Sequence, residues 1–74
     1  MYFVIEIQTN ADGTKGTIVD SYDSRNDAMA KYHTVLAAAA VSSVLVHACT
    51  VLTREGVQIA HESFTHPVEV AEEV

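Results

Sequence analysis

Four histidines and one cysteine are the residues of this chain best suited to chemistry, and four of the five, His47, Cys49, His61 and His66, fall close together. His47 and Cys49 stand two apart in a β-branched run, so a strand there puts them on one face. A second strand returning after Thr53-Arg54-Glu55-Gly56 carries His61 back beside them. With a three-residue loop ending in a Gly bulge, Cys49 faces His61 and His47 faces Ser63. With a two-residue loop, Cys49 faces Glu62 instead, and the sequence leaves this register open. In the first register Cys49, His61 and His47 have the ligand types that zinc prefers. Their spacing matches no zinc signature, and the expectation is that no metal or cofactor is bound. A nucleophilic Cys49 is disfavoured by its apolar flanks, which raise a thiol pKa.

A second constellation depends on the same strands. Glu6, His47 and Glu62 can gather on the sheet face away from the helix, as a candidate ligand face; the plainer reading is a half-solvated antiparallel face. The chain has no glycine-rich phosphate loop and no GxSxG, CxxC or HExxH motif, so the expectation is that it is not an enzyme.

The elements that would position these residues are organised around Tyr32–Thr53, YHTVLAAAAVSSVLVHACTVLT, a stretch without Asp, Glu, Lys or Arg. Its helical pattern before Ser42-Ser43 gives way to an extended one after it, which predicts a helix and then a strand, Val44–Leu52, apolar on both faces and therefore central. The stretch is long enough to cross a bilayer, but Ser42, Ser43, His47 and Thr50 interrupt it, and no membrane span is expected. Upstream, YFVIEIQT at 2–9 reads as a first strand, with Phe3, Ile5 and Ile7 on the face that looks like core. Asn10–Gly16 supplies two glycines for a mobile hairpin loop, and Thr17–Tyr22 reads as an edge strand on which Asp20 discourages edge pairing.

Asp23 or Ser24 caps the helix, and Asp27 places negative charge in its first turn. Ala28, Met29, Tyr32, Val35, Leu36 and Ala39 share the face that packs on the sheet. The opposite face gathers Ala30, Ala37, Ala38 and Val41, where alanine either serves helix propensity at exposed sites or accepts a close neighbour. These four are the candidate interface. After a turn ending in a left-handed Gly56, Val57–Thr65 makes the fourth strand, and His66-Pro67 ends it. The order ββαββ predicts an α+β fold, a four-stranded, largely antiparallel sheet with one helix on one face, forming a single domain over 1–67. Residues 68–74 read as an acidic, flexible C-terminal tail. One helix leaves the second sheet face uncovered, and sheet-to-sheet or helix-mediated dimerisation would bury it.

Composition points the same way. At 74 residues, 49% of them hydrophobic but only five aromatic and much of the rest Ala and Val, the core is light. A domain of this size buries only about 60% of the surface its unfolded chain exposes. Self-association, a dimer in the first instance, is the expected remedy. The net charge is −6, and the four bases, Lys15, Arg25, Lys31 and Arg54, are scattered. Phosphate-backbone binding needs convergent cations, so nucleic acid is not an expected partner. From Glu55 onward there are five acids and no Lys or Arg, which repels anionic membranes but leaves a basic protein partner open. A lone cysteine in an apolar run and an N-terminus without a signal-peptide pattern predict a reducing, cytoplasmic setting.

FVIEIQTNADG at 3–13 and YHTVLAAAAVSSVLV at 32–46 resemble a group of short uncharacterised proteins of bacterial and phage or prophage genomes. That resemblance covers most of the chain and implies no activity or site residues. It implies a setting in mobile elements and favours interaction roles over catalysis: a phage-related accessory or structural protein, or a phage-encoded inhibitor of a host defence system acting by protein binding or ligand sequestration. A histidine-hairpin protein that binds metal or ligand is the third alternative.

Overall fold

The computed structural model describes residues 1–66. Its elements are β1 (Tyr2–Thr9), β2 (Lys15–Tyr22), α1 (Arg25–Ala40), β3 (Val46–Thr53) and β4 (Gln58–Thr65), the ββαββ order expected of the sequence. All neighbouring strands are antiparallel, in the order β2-β1-β3-β4, with α1 packed across one face. The apolar β1 and β3 are central, and the more polar β2 lies at an edge. The boundary between the 1–67 domain and the 68–74 tail falls outside the described residues.

Local chemistry accounts for the connections. Asn10 and Thr14 close the first hairpin, Asn10 N–H donating to the Thr14 carbonyl at 2.8 Å. Asp12 holds the turn by accepting from the Thr14 amide and hydroxyl at 2.9 and 2.7 Å. Only the first of the loop's two glycines has positive φ, Gly13 at 91°; Gly16 already belongs to β2. Ser24 is the helix cap, accepting from the Asn26 and Asp27 amides. The helix buries Ala28, Tyr32, Val35 and Ala39, with Met29 and Leu36 half-buried beside them, as the 3.6-residue spacing requires. At its far end the His66 Nε2–H donates to the Ala39 carbonyl at 2.7 Å, while the His66 amide donates to Leu45. The end of β4 thereby ties down the helix C-terminus and the Ser42-Ser43 connection, and β3 begins at Val46 rather than Val44.

Two expectations are corrected. First, the β1 residues beneath the helix are Tyr2, Val4, Glu6 and Gln8, while Phe3, Ile5 and Ile7 lie on the helix-free face. Both sides of β1 are apolar, so its own pattern does not say which side the helix takes. Ala28 and Ala39 bring the helix close, and the fully buried sheet residues beneath it are Val4, Cys49 and Val51, with Tyr2, Tyr22, Ile59 and Ala60 packed partly buried around them. Second, the β3–β4 hairpin combines the two alternatives: it has the Cys49–Glu62 pairing expected of the two-residue loop, but on the three-residue loop. The turn is the three-residue type, with Gly56 at φ 87° and Thr53 bonded to Val57. Between Val51 and Leu52, however, a β-bulge inserts Ile59, and beyond it Cys49 pairs with Glu62, Thr50 with His61 and His47 with Phe64.

Replacing Ser24 by Ala leaves two helix N–H groups without their acceptor and is expected to lower unfolding free energy by about 1 kcal/mol, whereas Ser24→Gly costs only a few tenths. Urea denaturation followed by circular dichroism measures both.

Candidate functional site

The strands bring Glu6 and His47 into contact. Glu6 on β1 sits opposite Cys49, and Gln8 sits opposite His47, so the Glu6 and His47 side chains meet on the diagonal across the two central strands. The His47 Nε2–H donates to Glu6 Oε2 at 2.5 Å, and Gln8 Nε2–H donates to the same oxygen at 3.0 Å. Strand alternation places this group beside Cys49 and Val51, hence on the face covered by the helix and not on the face away from it. Glu62 shares that face, across Cys49, but it stands exposed on the edge strand and accepts from the Ser63 amide. The expected ligand face is therefore a bonded Glu6–His47 pair with Glu62 apart from it, roofed by a helix.

Burial dictates what this pair can do. His47 is 4% exposed, and its buried Nδ1 has no hydrogen-bond partner among the described residues. Burial works to raise the Glu6 pKa, but the hydrogen bonds from His47 and Gln8, with the positive fields of His47 and Lys31, outweigh it and hold the carboxyl below the usual carboxylate range. A carboxylate–imidazole pair resembles half of an acid–base device, yet a substrate must come within hydrogen-bond reach of the base. Here the sheet lies beneath the ring and the helix covers it. The pair is a polar clamp between β1 and β3.

The metal arrangement dissolves for a geometric reason. Cys49 and His47 point under the helix, while His61, opposite Thr50, points to the other side. His33 is exposed on the helix with its ring edge-on to Tyr32 at 5.3 Å between centroids, and His66 is engaged at the helix end. Among the described residues, no group of three or more His, Cys, Asp or Glu is placed to hold a metal ion. Burial, with the Glu6 charge nearby, pushes the Cys49 thiol up to about 11, so its thiolate is scarce at neutral pH.

The candidate interface residues Ala30, Ala37, Ala38 and Val41 all lie exposed on the outer side of α1. A second uncovered surface is the one that strand alternation assigns to the core. On the helix-free face Phe3, Ile5 and Ile7 of β1 line up with Val19 of β2 and with Ala48 and Leu52 of β3. Ile7 and Val19 are 39% and 57% exposed. Among the described residues no helix is long and apolar enough to cross a membrane. The chain matches no protein-family model, no curated protein and no solved structure, so any function must be argued from these surfaces.

Two outcomes follow from the buried group. The folded-state pKa of Glu6 is depressed, so its stabilising effect is present above the unfolded-state value and is lost as pH falls through the folded one. Urea midpoints measured between pH 3 and 7 should fall below about pH 4, and Glu6→Gln should lower the neutral midpoint while flattening that acid limb. Cys49, 1% exposed, should react with a thiol reagent at pH 8 only after denaturant is added; rapid labelling of the folded chain would contradict its buried placement.

Proposed function

We propose that this chain is a small acidic protein-interaction module, an accessory or structural component rather than an enzyme, and that it works through the helix-free face of its sheet. The observation that carries the reading is the chemistry of that face. Apolar side chains from three adjacent strands are contiguous on it, on a protein whose net charge is −6. An extended apolar surface on a small acidic chain is the usual mark of a protein contact.

The polar groups best suited to catalysis support the same reading by their placement. His47 and Glu6 are held against each other under the helix, and the Cys49 thiol is buried with a raised pKa. Neither lies on the open face. A setting in mobile genetic elements fits a module of this size, and it rests on the resemblance alone.

A photoreactive benzoylphenylalanine placed at Ile7 tests the reading in the full chain. Irradiation in expressing cells should give covalent protein adducts from this position and none from the same group at Ala30. An adduct-free Ile7 position, with the chain folded, would overturn the interaction role.

A further inference from the structure

We infer that the occupant of the helix-free face is a second copy of this chain, the two sheets packing face to face as an isologous dimer. This rests on the interaction reading above and makes it specific.

The distribution of charge is the first argument. The strands carry three acids, Glu6, Asp20 and Glu62, and pairing puts all three on the helix side: Asp20 opposite Val4, Glu62 opposite Cys49, and Glu6 beside His47. The other described acids lie outside the strands, Asp12 in the first hairpin loop, Asp23 and Asp27 at the helix start, and Glu55 in the last turn. Among the described residues the strands therefore present no carboxylate on the open face, and their ionisable groups there are Lys15 at a corner and His61 on β4. Two copies of a chain with net charge −6 repel each other over most approaches, but these faces meet without apposing acids. A different acidic or basic partner would find almost no charge here to recognise. A surface that is apolar and charge-poor is complementary to itself.

Area is the second argument. Each strand has eight residues. At about 3.3 Å per residue and about 4.8 Å between strands, four of them present on the order of 500 Å² in projection. Two such faces reach on the order of 1,000 Å², the size a specific interface must attain. Sheets stack about 10 Å apart, a gap that Phe3, Ile5, Val19 and Leu52 from both copies can fill.

The third argument is need. The fully buried core is confined to the helix side and consists of Val4, Ala28, Tyr32, Val35, Cys49 and Val51 with Ala39, mostly small residues. A second copy supplies the larger aliphatic core that one helix leaves unformed. Residues 67–74 are the competing occupant within the chain, but they would bring Glu69, Glu72 and Glu73 onto the open face.

Light scattering on the full chain at micromolar concentration should give about 16 kDa, twice the 8.0 kDa of one chain. The double variant I7E/V19E should halve that mass while keeping its circular dichroism, and A37E/A38E on the outer helix face should leave it unchanged. A mass of 8.0 kDa for the unaltered chain overturns the proposal, as does a dimer that survives I7E/V19E or one that A37E/A38E dissociates. A dimer that forms only after residues 67–74 are deleted assigns the face to the tail and also overturns it. Should I7E/V19E fail to fold, benzoylphenylalanine at Val19 decides. Its adduct must have the mass of two chains and map to the sheet face of the second copy; mapping to α1 rejects the arrangement. Adducts only to a different protein reject the dimer while sparing the interaction role, whereas no adduct at all rejects both.

Discussion

A four-stranded sheet has two faces, and the described residues supply one helix with which to cover them. Sixteen residues of α1 lie over β1 and β3 and seal Val4, Cys49 and Val51 from water. Nothing comparable among the described residues lies on the other side, although β1 and β3 are apolar there too. The rest of the structure follows from that imbalance. The core is thin because it is one-sided, its alanines allow close helix approach, and Phe3, Ile5 and Leu52 are left half-buried and Ile7 exposed on the other face.

A core this small also contains a polar group. Placing a carboxylate beneath a helix costs free energy unless its oxygens are satisfied. Glu6 meets that condition at Oε2, which accepts from both His47 and Gln8, at 2.5 and 3.0 Å. Among the described residues His47 is satisfied at Nε2 alone, since its Nδ1 has no partner. Such pairs contribute less to net stability than to uniqueness: a one-residue slip of β1 against β3 would carry Glu6 and Gln8 together to the open face and break the bond to His47, the one that crosses the strands. The pair thereby selects the β1–β3 alignment that also decides which face stays open. Lys31, 3.8 Å from Asp20, ties the helix to the edge strand on the same side.

Much of this was legible in the residues, and the exceptions have identifiable causes. The helix could be read because Tyr32, Val35 and Ala39 recur with its period and Ser24 stands at its start. The turn at Gly56 could be read because only a residue tolerant of positive φ fits there. The pairing of β4 could not, because the bulge at Ile59 has no distinguishing residue; Val57-Gln58-Ile59-Ala60 alternates as an unbroken strand would. That one inserted residue moves His61 away from Cys49 and removes the metal arrangement. The inside of β1 was also illegible. Phe3, Ile5 and Ile7 are the more apolar set, yet the helix packs on the side of Tyr2, Val4, Glu6 and Gln8, so apolarity along one strand points to the wrong side. The acids carried the missing signal: once the strands are paired, Glu6, Asp20 and Glu62 all fall on one side.

An uncovered apolar sheet face invites open-ended aggregation, and the edges of this sheet oppose it. Sheets propagate by adding strands at their edges, through unpaired backbone groups, and charged side chains and bulges block that addition. β2, one edge, carries Lys15 and Asp20; β4, the other, carries His61 and Glu62 and is distorted by the bulge at Ile59. Growth along the hydrogen-bonding direction is thus obstructed at both ends, while among the described residues the flat face is open and free of carboxylates. In the proposed dimer, face-to-face contact would consume both faces and leave α1 on the outside of each copy, so association would close at two.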